Sequence, residues 1–117
     1  MVSAKQGKEL SEFDAHVRPD YVVVVDLNRK YTEVSEGFCK LLGYTREDLI
    51  GRRVESVTPL GTNDVRIVFE LFQRLGYMHG IWIFENRSGT RIIVRYEAWL
   101  RYDRHIECKM EMLGAGA

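Results

Sequence analysis

Two cysteines and three histidines are the side chains of this sequence best suited to redox chemistry or metal binding. Cys39 and Cys108 stand far apart, and they fit no zinc spacing, no CxxC redox pair and no haem attachment motif. The histidines His16, His79 and His105 are scattered in the same way, which makes a poor transition-metal site. The sequence therefore predicts no metal site.

The carboxylates best placed for acid–base chemistry are Asp26 and Glu33, which flank a predicted turn. Carboxylates at a turn usually stay in solvent, so we expect no catalytic role for this pair. The sequence has no Ser/His/Asp spacing, nucleophile elbow, phosphate-binding glycine loop or metalloprotease motif. The alternative is a small enzyme with a carboxylate or histidine in an apolar pocket. The readable inward faces carry neither group, so we predict no enzyme and no catalytic residue.

Length and composition describe an ordinary globular domain. The chain has 117 residues, which suits one domain, and it is 45% hydrophobic and 29% charged. Lys plus Arg and Asp plus Glu both total 17, which argues against a basic nucleic-acid-binding surface and a polybasic membrane anchor. The N-terminus lacks the apolar core of a signal peptide, and no run reaches membrane-spanning length. We therefore expect a cytoplasmic chain that binds neither nucleic acid nor membrane.

The first third of the chain predicts one helix followed by two strands. Residues 5–17 have the spacing of a short amphipathic helix, which Pro19 ends. The β-branched run 21-YVVVVDL-27 is bounded by turn formers, which predicts a strand covered on both faces. The segment 31-YTEV-34 is expected to pair back onto it.

Several helices follow. Ser35 is well placed as the N-cap of a short helix that Gly43 ends, and 45-TREDLI-50 predicts a second one. Asp64 is the predicted N-cap of a longer helix over residues 65–75. That helix is apolar over so much of its circumference that we expect it to be buried on more than one side.

The last third predicts an antiparallel meander. Its strands are expected at 80–86, 91–102 and 105–113, with short turns between them. The tail 114-GAGA-117 is typical of a flexible end.

This order of elements, together with four motifs, resembles the PAS (Per-Arnt-Sim) sensory domain. The family pattern has a valine-rich strand ending in Asp, a helix ending Leu-Gly-Tyr, a Ser/Thr-x-Glu-Glu/Asp-Leu-Ile/Val-Gly helix and a later hairpin. No single motif is specific, but the ordered combination is a strong signal. The corresponding stretches are 22-VVVVDLNRK-30, 33-EVSEGFCKLLGY-44, 45-TREDLIG-51 and 84-FENRSGT-90.

The chain departs from the family pattern at three turns or caps. Ser35 replaces the usual capping Asn, and Ser88 replaces the usual Asp of the hairpin. Arg29 replaces the usual Gly of the first turn, so we expect Asn28 to take the left-handed conformation there.

The resemblance implies an α+β fold in which a five-stranded antiparallel sheet carries short helices and one longer helix over one face, plus the N-terminal amphipathic helix. It divides the chain into an N-terminal flank (1–19), a sensory domain (20–113) and a tail (114–117). PAS domains usually signal to an attached kinase, cyclase or DNA-binding module. A role in a bacterial signalling protein, such as a two-component system, is therefore implied.

Two cofactors occur in subclasses of the family. The LOV photoreceptors hold flavin beside a cysteine in an Asn-Cys-Arg-Phe-Leu-Gln-like motif, whereas Cys39 lies in an earlier helix and precedes Lys40-Leu41-Leu42. We interpret Cys39 as packing beside the core. Haem-binding members usually take their iron ligand from the longer helix, which has no histidine here, and His79 only follows it, near the expected pocket mouth. We therefore expect neither flavin nor haem.

A pocket between the sheet and the longer helix is the sharpest functional prediction. Aromatic and sulfur-containing side chains should meet there, which suits a planar or aliphatic small molecule, with the Tyr96 hydroxyl as a polar handle. The alternative is a filled core without a ligand, because both need the same residue types. The predicted pocket residues are Phe69, Phe72, Trp82, Phe84, Tyr96, Ala98, Cys108 and Met110.

The opposite face of the sheet predicts a contact with a second copy of the chain. Large apolar side chains on that face need a cover, and the stripe of the N-terminal helix is a natural one, from its own chain or from a partner. In PAS-like proteins this helix and this face commonly form a dimer, so we predict a homodimer. A ligand-free dimerisation module is the alternative to a small-molecule sensor. The predicted contact residues are Leu10, Phe13, Val17, Ile81, Ile83, Ile93 and Trp99.

Overall fold

A single antiparallel sheet organises the chain. The computed structural model describes residues 21–116, so the helix predicted at 5–17 lies outside the described residues. The sheet has five strands, as the resemblance implies, and they pair in the order β2–β1–β5–β4–β3. The strands are β1 (Val22–Val25), β2 (Tyr31–Val34), β3 (Tyr77–Glu85), β4 (Arg91–Leu100) and β5 (Ile106–Gly116). The helices are α1 (Glu36–Leu42), α2 (Arg46–Leu49), a 3-10 helix (Val54–Val57) and α3 (Thr62–Leu75).

The turn between β1 and β2 is held by side chains at both of its ends. Asp26 Oδ1 accepts hydrogen bonds from the backbone N–H groups of Asn28 and Lys30, both at 2.9 Å. The left-handed residue is Arg29, with φ 69°, and the expectation that Asn28 takes this conformation is wrong. Two hydrogen bonds from the Arg29 guanidinium to Glu55, at 3.0 and 3.1 Å, offset this backbone strain and tie the turn to the 3-10 helix.

Helix α1 begins and ends where the sequence predicts. Ser35 Oγ accepts from the backbone N–H of Phe38 at 3.3 Å, and it also accepts from Val22 of β1 at 3.1 Å. Gly43 ends the helix with φ 78°, and a Cβ there would lie 3.4 Å from the Cβ of Arg87. The left-handed conformation at a helix end favours glycine.

Helix α3 begins earlier than predicted. Gly61 is the N-cap, and no side chain caps the helix by a hydrogen bond. The prediction that Asp64 is the cap is therefore wrong. Asp64 lies in the first turn of the helix, where a carboxylate still interacts favourably with the exposed N–H groups.

The expectation that α3 is buried on more than one side is also wrong. Val65 and Phe72 are its fully buried residues, whereas Ile67, Leu71 and Leu75 remain exposed. Apolar periodicity identifies a helix correctly, but it does not tell how many neighbours the fold supplies. Here the sheet covers a single face of α3.

Strands β3 and β5 extend beyond the predicted segments, whereas β4 ends at Leu100, earlier than predicted. Strand β3 already begins at Tyr77, and β5 continues to Gly116, where a flexible tail was expected. Gly114 pairs with Ile93 and Ala115 with Ile92. Small side chains give little sequence signal for a strand, but pairing to β4 requires only the backbone.

Aromatic side chains dominate the core between the sheet and the helices. Phe38 of α1 contacts Tyr31 at a ring-centroid distance of 5.8 Å and Phe84 edge-on at 5.3 Å. All three side chains are at most 5% exposed. Cys39 joins this core at 8% exposure, in agreement with a packing role. Within residues 21–116, no helix has the length and apolar character needed to cross a membrane.

A candidate ligand cavity between the sheet and the longest helix

A cavity of about 80 Å³ lies between α3 and the inner face of the sheet. Helix α3 supplies one wall through Phe69 and Phe72, and the sheet supplies the opposite wall through β3, β4 and β5. The structure brings together all eight residues that the sequence assigned to a pocket, namely Phe69, Phe72, Trp82, Phe84, Tyr96, Ala98, Cys108 and Met110.

Seven further residues line the cavity and were missed by the sequence reasoning. One of them has a recognisable signal, because Ile106 alternates with Glu107 and shares its face with Cys108 and Met110 on β5. The uniform valine run of β1 has no alternation that could mark Val23 and Val25. Tyr31 has none, because burial along its short strand does not alternate. The seven are Val23, Val25, Tyr31, Val54, Val68, Met78 and Ile106.

The side chain of Trp82 is fixed in the cavity wall by a short hydrogen-bond chain. Its indole N–H donates to Thr58 Oγ1 at 3.1 Å, and that hydroxyl donates to the carbonyl oxygen of Val54 at 2.8 Å. The Trp82 ring also meets Tyr96 edge-on, with centroids 6.2 Å apart. The indole therefore presents its apolar surface to the cavity while its one polar group is satisfied elsewhere.

Tyr96 lies over a glycine on the neighbouring strand. Gly80 is its cross-strand partner, and a Cβ added there would lie 3.6 Å from the Tyr96 ring. The residue stays half-buried. Burial raises the pKa of its phenol, as does the nearby Cys108.

The cavity wall carries no charge. Its lining contains no Asp, Glu, His, Lys or Arg among the described residues. Burial raises the pKa of the Cys108 thiol to about 12 and also raises that of Cys39. Since thiolates are the reactive form, both cysteines are poor nucleophiles at neutral pH. The arrangement suits binding of an apolar molecule better than acid–base or thiol chemistry.

His79 lies away from the cavity. Strand β3 begins at Tyr77, and its cavity-lining residues Met78, Trp82 and Phe84 alternate with those of the outer face. His79 therefore falls on the outer face, where it is exposed and pairs with Glu97. The placement of His79 near the pocket mouth was wrong, because the strand starts earlier than predicted. Among residues 21–116, no group of His, Cys, Asp and Glu is arranged to hold a metal ion.

The outer face of the sheet carries the other predicted residues that the structure describes. Ile81 is 55% exposed, Ile83 39% and Ile93 36%, and Ile83 pairs directly with Ile93. Trp99 lies on the same face, partly exposed, beside Tyr77 with ring centroids 6.2 Å apart. The helical partners Leu10, Phe13 and Val17 lie outside the described residues.

Comparisons with known proteins agree with this architecture. The family model for the PAS domain matches residues 19–106. The fold is similar to a PAS domain of an HTR-like protein from Haloarcula marismortui, with 18% identity, 93% of each chain covered and a TM-score of 0.72. It is also similar to a domain of a sensory box sensor histidine kinase/response regulator from Geobacter sulfurreducens, with 20% identity, 77% of this chain and 80% of that chain covered and a TM-score of 0.66.

A third similar structure is a complex. It is the PAS domain of the Cronobacter turicensis quorum-sensing receptor RpfR in complex with BDSF, with 15% identity, 90% of this chain and 99% of that chain covered and a TM-score of 0.70. A search of curated protein sequences finds no match.

Proposed function

We propose that this chain, which belongs to the PAS domain family, is a sensory module that takes up a small apolar molecule between α3 and the sheet. Its output passes to an attached signalling domain of the histidine kinase, cyclase or transcription regulator type. The observation that carries the proposal is the cavity itself, which is bounded by aromatic and sulfur side chains and bears no charge. The RpfR domain in complex with BDSF supports it by analogy, since the two folds are similar.

The volume of the cavity favours a ligand over a filled core. Protein interiors are packed like organic crystals, and few voids exceed the size of a water molecule. This cavity of about 80 Å³ is partly open to solvent, so its apolar wall is in contact with water, and covering that wall gains roughly 25 cal/mol per Å² of apolar surface buried. An apolar molecule that fills the cavity gains this free energy, whereas a bound water needs about 2–4 polar partners and the lining offers few polar atoms.

The same volume requires the wall to move when a ligand binds. An engineered apolar cavity of roughly 150 Å³ holds benzene, so this cavity must widen to hold a ring. Val68, Phe69 and Met78 line it and remain half-buried. Since α3 buries fully only Val65 and Phe72, it is the wall most easily displaced.

Displacement of α3 provides the route from ligand to signal. A ligand shifts a protein between two arrangements only if it binds them with different affinity. The closed arrangement has too little room and a widened one has enough, so occupancy selects the widened arrangement. An attached output domain would read the change in position of α3 and of the sheet.

Native mass spectrometry, compared with a denatured control, tests the proposal. The folded chain should retain a mass that is lost on denaturation. Ala98 is buried in the cavity wall, so Ala98→Leu should fill the cavity and abolish retention. The matched control Ile83→Leu, on the outer face, should leave retention unchanged. A ligand-free wild-type spectrum that also shows no uptake of added apolar molecules would refute the proposal and favour the ligand-free dimerisation module.

The outer face of the sheet is proposed as the contact with a second copy. Adjacent exposed isoleucines form an apolar patch of the kind that marks protein interaction sites, and Trp99 with Tyr77 forms a second apolar pair on the same face, beyond Arg95 and Glu97. The predicted stripe Leu10, Phe13 and Val17 would complete the contact.

Light scattering with size-exclusion chromatography tests this contact. Trp99→Arg should convert a dimer to a monomer, whereas Ile67→Arg, an equal charge on the exposed side of α3, should not. A monomeric wild type at high concentration, or a dimer that survives Trp99→Arg, would contradict the contact.

A further inference from the structure

The hydroxyl of Tyr31 is the unusual polar group of the cavity. Tyr31 opens β2 and lines the cavity, and the residue is 1% exposed. Its hydroxyl oxygen is buried and has no hydrogen-bond partner. Buried polar side chains in folded proteins are nearly always hydrogen-bonded, so an exception inside a cavity calls for a reason.

The other polar groups near the cavity do not share this state. The indole N–H of Trp82 is bonded to Thr58, and Tyr96 is half-buried. Among the described residues, Glu97 Oε1 is also buried without a hydrogen-bond partner. Glu97 lies between Tyr96 and Ala98 on β4, so its side chain is on the outer face of the sheet and not in the cavity. Tyr31 is therefore the cavity residue whose hydrogen-bonding capacity is left for a ligand.

Charge decides which ligands this hydroxyl can receive. Since the lining has no basic side chain among the described residues, a bound carboxylate or phosphate would be stripped of water without a counter-charge. Burial, together with Cys108 and Glu55, raises the pKa of Tyr31, so its phenol keeps its proton and is available as a donor. A neutral acceptor satisfies the phenol without adding a buried charge.

We infer that the cavity selects an uncharged, mainly hydrocarbon molecule carrying one hydrogen-bond acceptor, such as a ketone, ester or ether oxygen, and that the Tyr31 hydroxyl donates to that acceptor. This inference rests on the proposed small-molecule function and specifies its ligand class. It moves the polar handle from Tyr96, which the sequence favoured, to Tyr31. The apolar wall binds the hydrocarbon part, and the phenol fixes its orientation.

Three isosteric probes test the inference by titration, with the amide NMR spectrum of the purified chain as readout. Acetophenone presents a neutral acceptor, α-methylstyrene replaces that oxygen with a methylene group, and benzoate is an anion at neutral pH. One buried hydrogen bond predicts that acetophenone binds about tenfold more tightly than α-methylstyrene. Benzoate should bind at least roughly a hundredfold more weakly than acetophenone, because its charge is buried unpaired.

Two variants separate Tyr31 from the rest of the wall. Tyr31→Phe should remove the preference for acetophenone over α-methylstyrene while leaving α-methylstyrene binding intact, which also shows that the variant is folded. Tyr96→Phe should keep the preference. Equal binding of the two neutral probes to the wild type, an unchanged preference in Tyr31→Phe, or tight binding of benzoate would overturn the inference while leaving the cavity function standing. Failure of all three probes to bind would instead refute the proposed function, and the ligand class with it.

Discussion

Removal of the Tyr31 hydroxyl should stabilise the ligand-free chain. Tyr31→Phe keeps the ring and its contact with Phe38, whose centroid lies 5.8 Å away, and deletes an oxygen that is buried without a partner. An unsatisfied buried polar group costs about 1–3 kcal/mol. The small void left by the oxygen returns a few tenths of a kcal/mol, since cavities cost roughly 24 cal/mol per Å³. We therefore expect the free energy of unfolding to rise by about 1–2 kcal/mol.

Urea unfolding followed by tryptophan fluorescence measures this change, and thermal unfolding should show a Tm increase of roughly 3–6 °C per kcal/mol for a domain of this size. Tyr96→Phe is the matched control and should stay within about 0.5 kcal/mol of the wild type. Because burial raises the pKa of Tyr31 in the folded chain, the unfolded chain loses this proton first, at its ordinary pKa of about 10. The free energy of unfolding of the wild type should therefore fall as pH rises above about 10, and the difference in stability between Tyr31→Phe and the wild type should grow.

A loss of stability in Tyr31→Phe would refute the reasoning. A tyrosine whose hydroxyl is hydrogen-bonded typically loses about 1 kcal/mol on conversion to phenylalanine, so the sign of the change separates the two cases. A decrease in the free energy of unfolding would mean that the phenol has a hydrogen-bond partner in the ligand-free chain. The assignment of Tyr31 as the ligand donor would then fail as well.

Three further predictions concern the N-cap of α1, the Arg29–Glu55 ion pair and the two cysteine thiols. Ser35→Ala should lower the free energy of unfolding by about 1–2 kcal/mol, measured in urea, because it removes the acceptor for two backbone N–H groups, whereas Ser35→Asn should retain most of the stability. Burial is the largest single effect on Glu55 and raises its pKa, but the hydrogen bonds from Arg29, a backbone hydrogen bond and the charges of Arg29 and Arg53 together lower the pKa of Glu55. The stabilisation from this pair is thus present above its ordinary pKa of 4.5 and is lost as pH falls toward the folded value, and Glu55→Gln should flatten the acid limb of the stability curve. With a pKa of about 12, Cys108 should react with thiol reagents at pH 8 on the order of a thousandfold more slowly than a free cysteine, and Cys39 should also react slowly until the chain is unfolded in urea. An acid limb that is equally steep in the wild type and in Glu55→Gln would contradict the second prediction. Rapid labelling of the cysteines in the folded chain would contradict the third.

The sequence by itself determined the elements and their order. The valine run of β1, the cap at Ser35 and the left-handed Gly43 are local signals, because propensity and capping depend on residues only a few positions apart. Alternation on β4 and β5 also placed the pocket residues Tyr96, Ala98, Cys108 and Met110 on one face without knowledge of the fold.

The tertiary structure alone decided what surrounds each side chain. The same periodicity that predicted α3 also predicted too much burial, because the number of covering neighbours depends on how the helix docks. The start of β3 at Tyr77 moved His79 to the outer face, since a strand's faces depend on where its pairing begins. Tyr31 shows the limit most clearly. Nothing near Tyr31 in the sequence marks it as a cavity residue. Its hydroxyl is buried because strands and a helix that are distant in the chain pack around it, and none of them offers a hydrogen-bond acceptor.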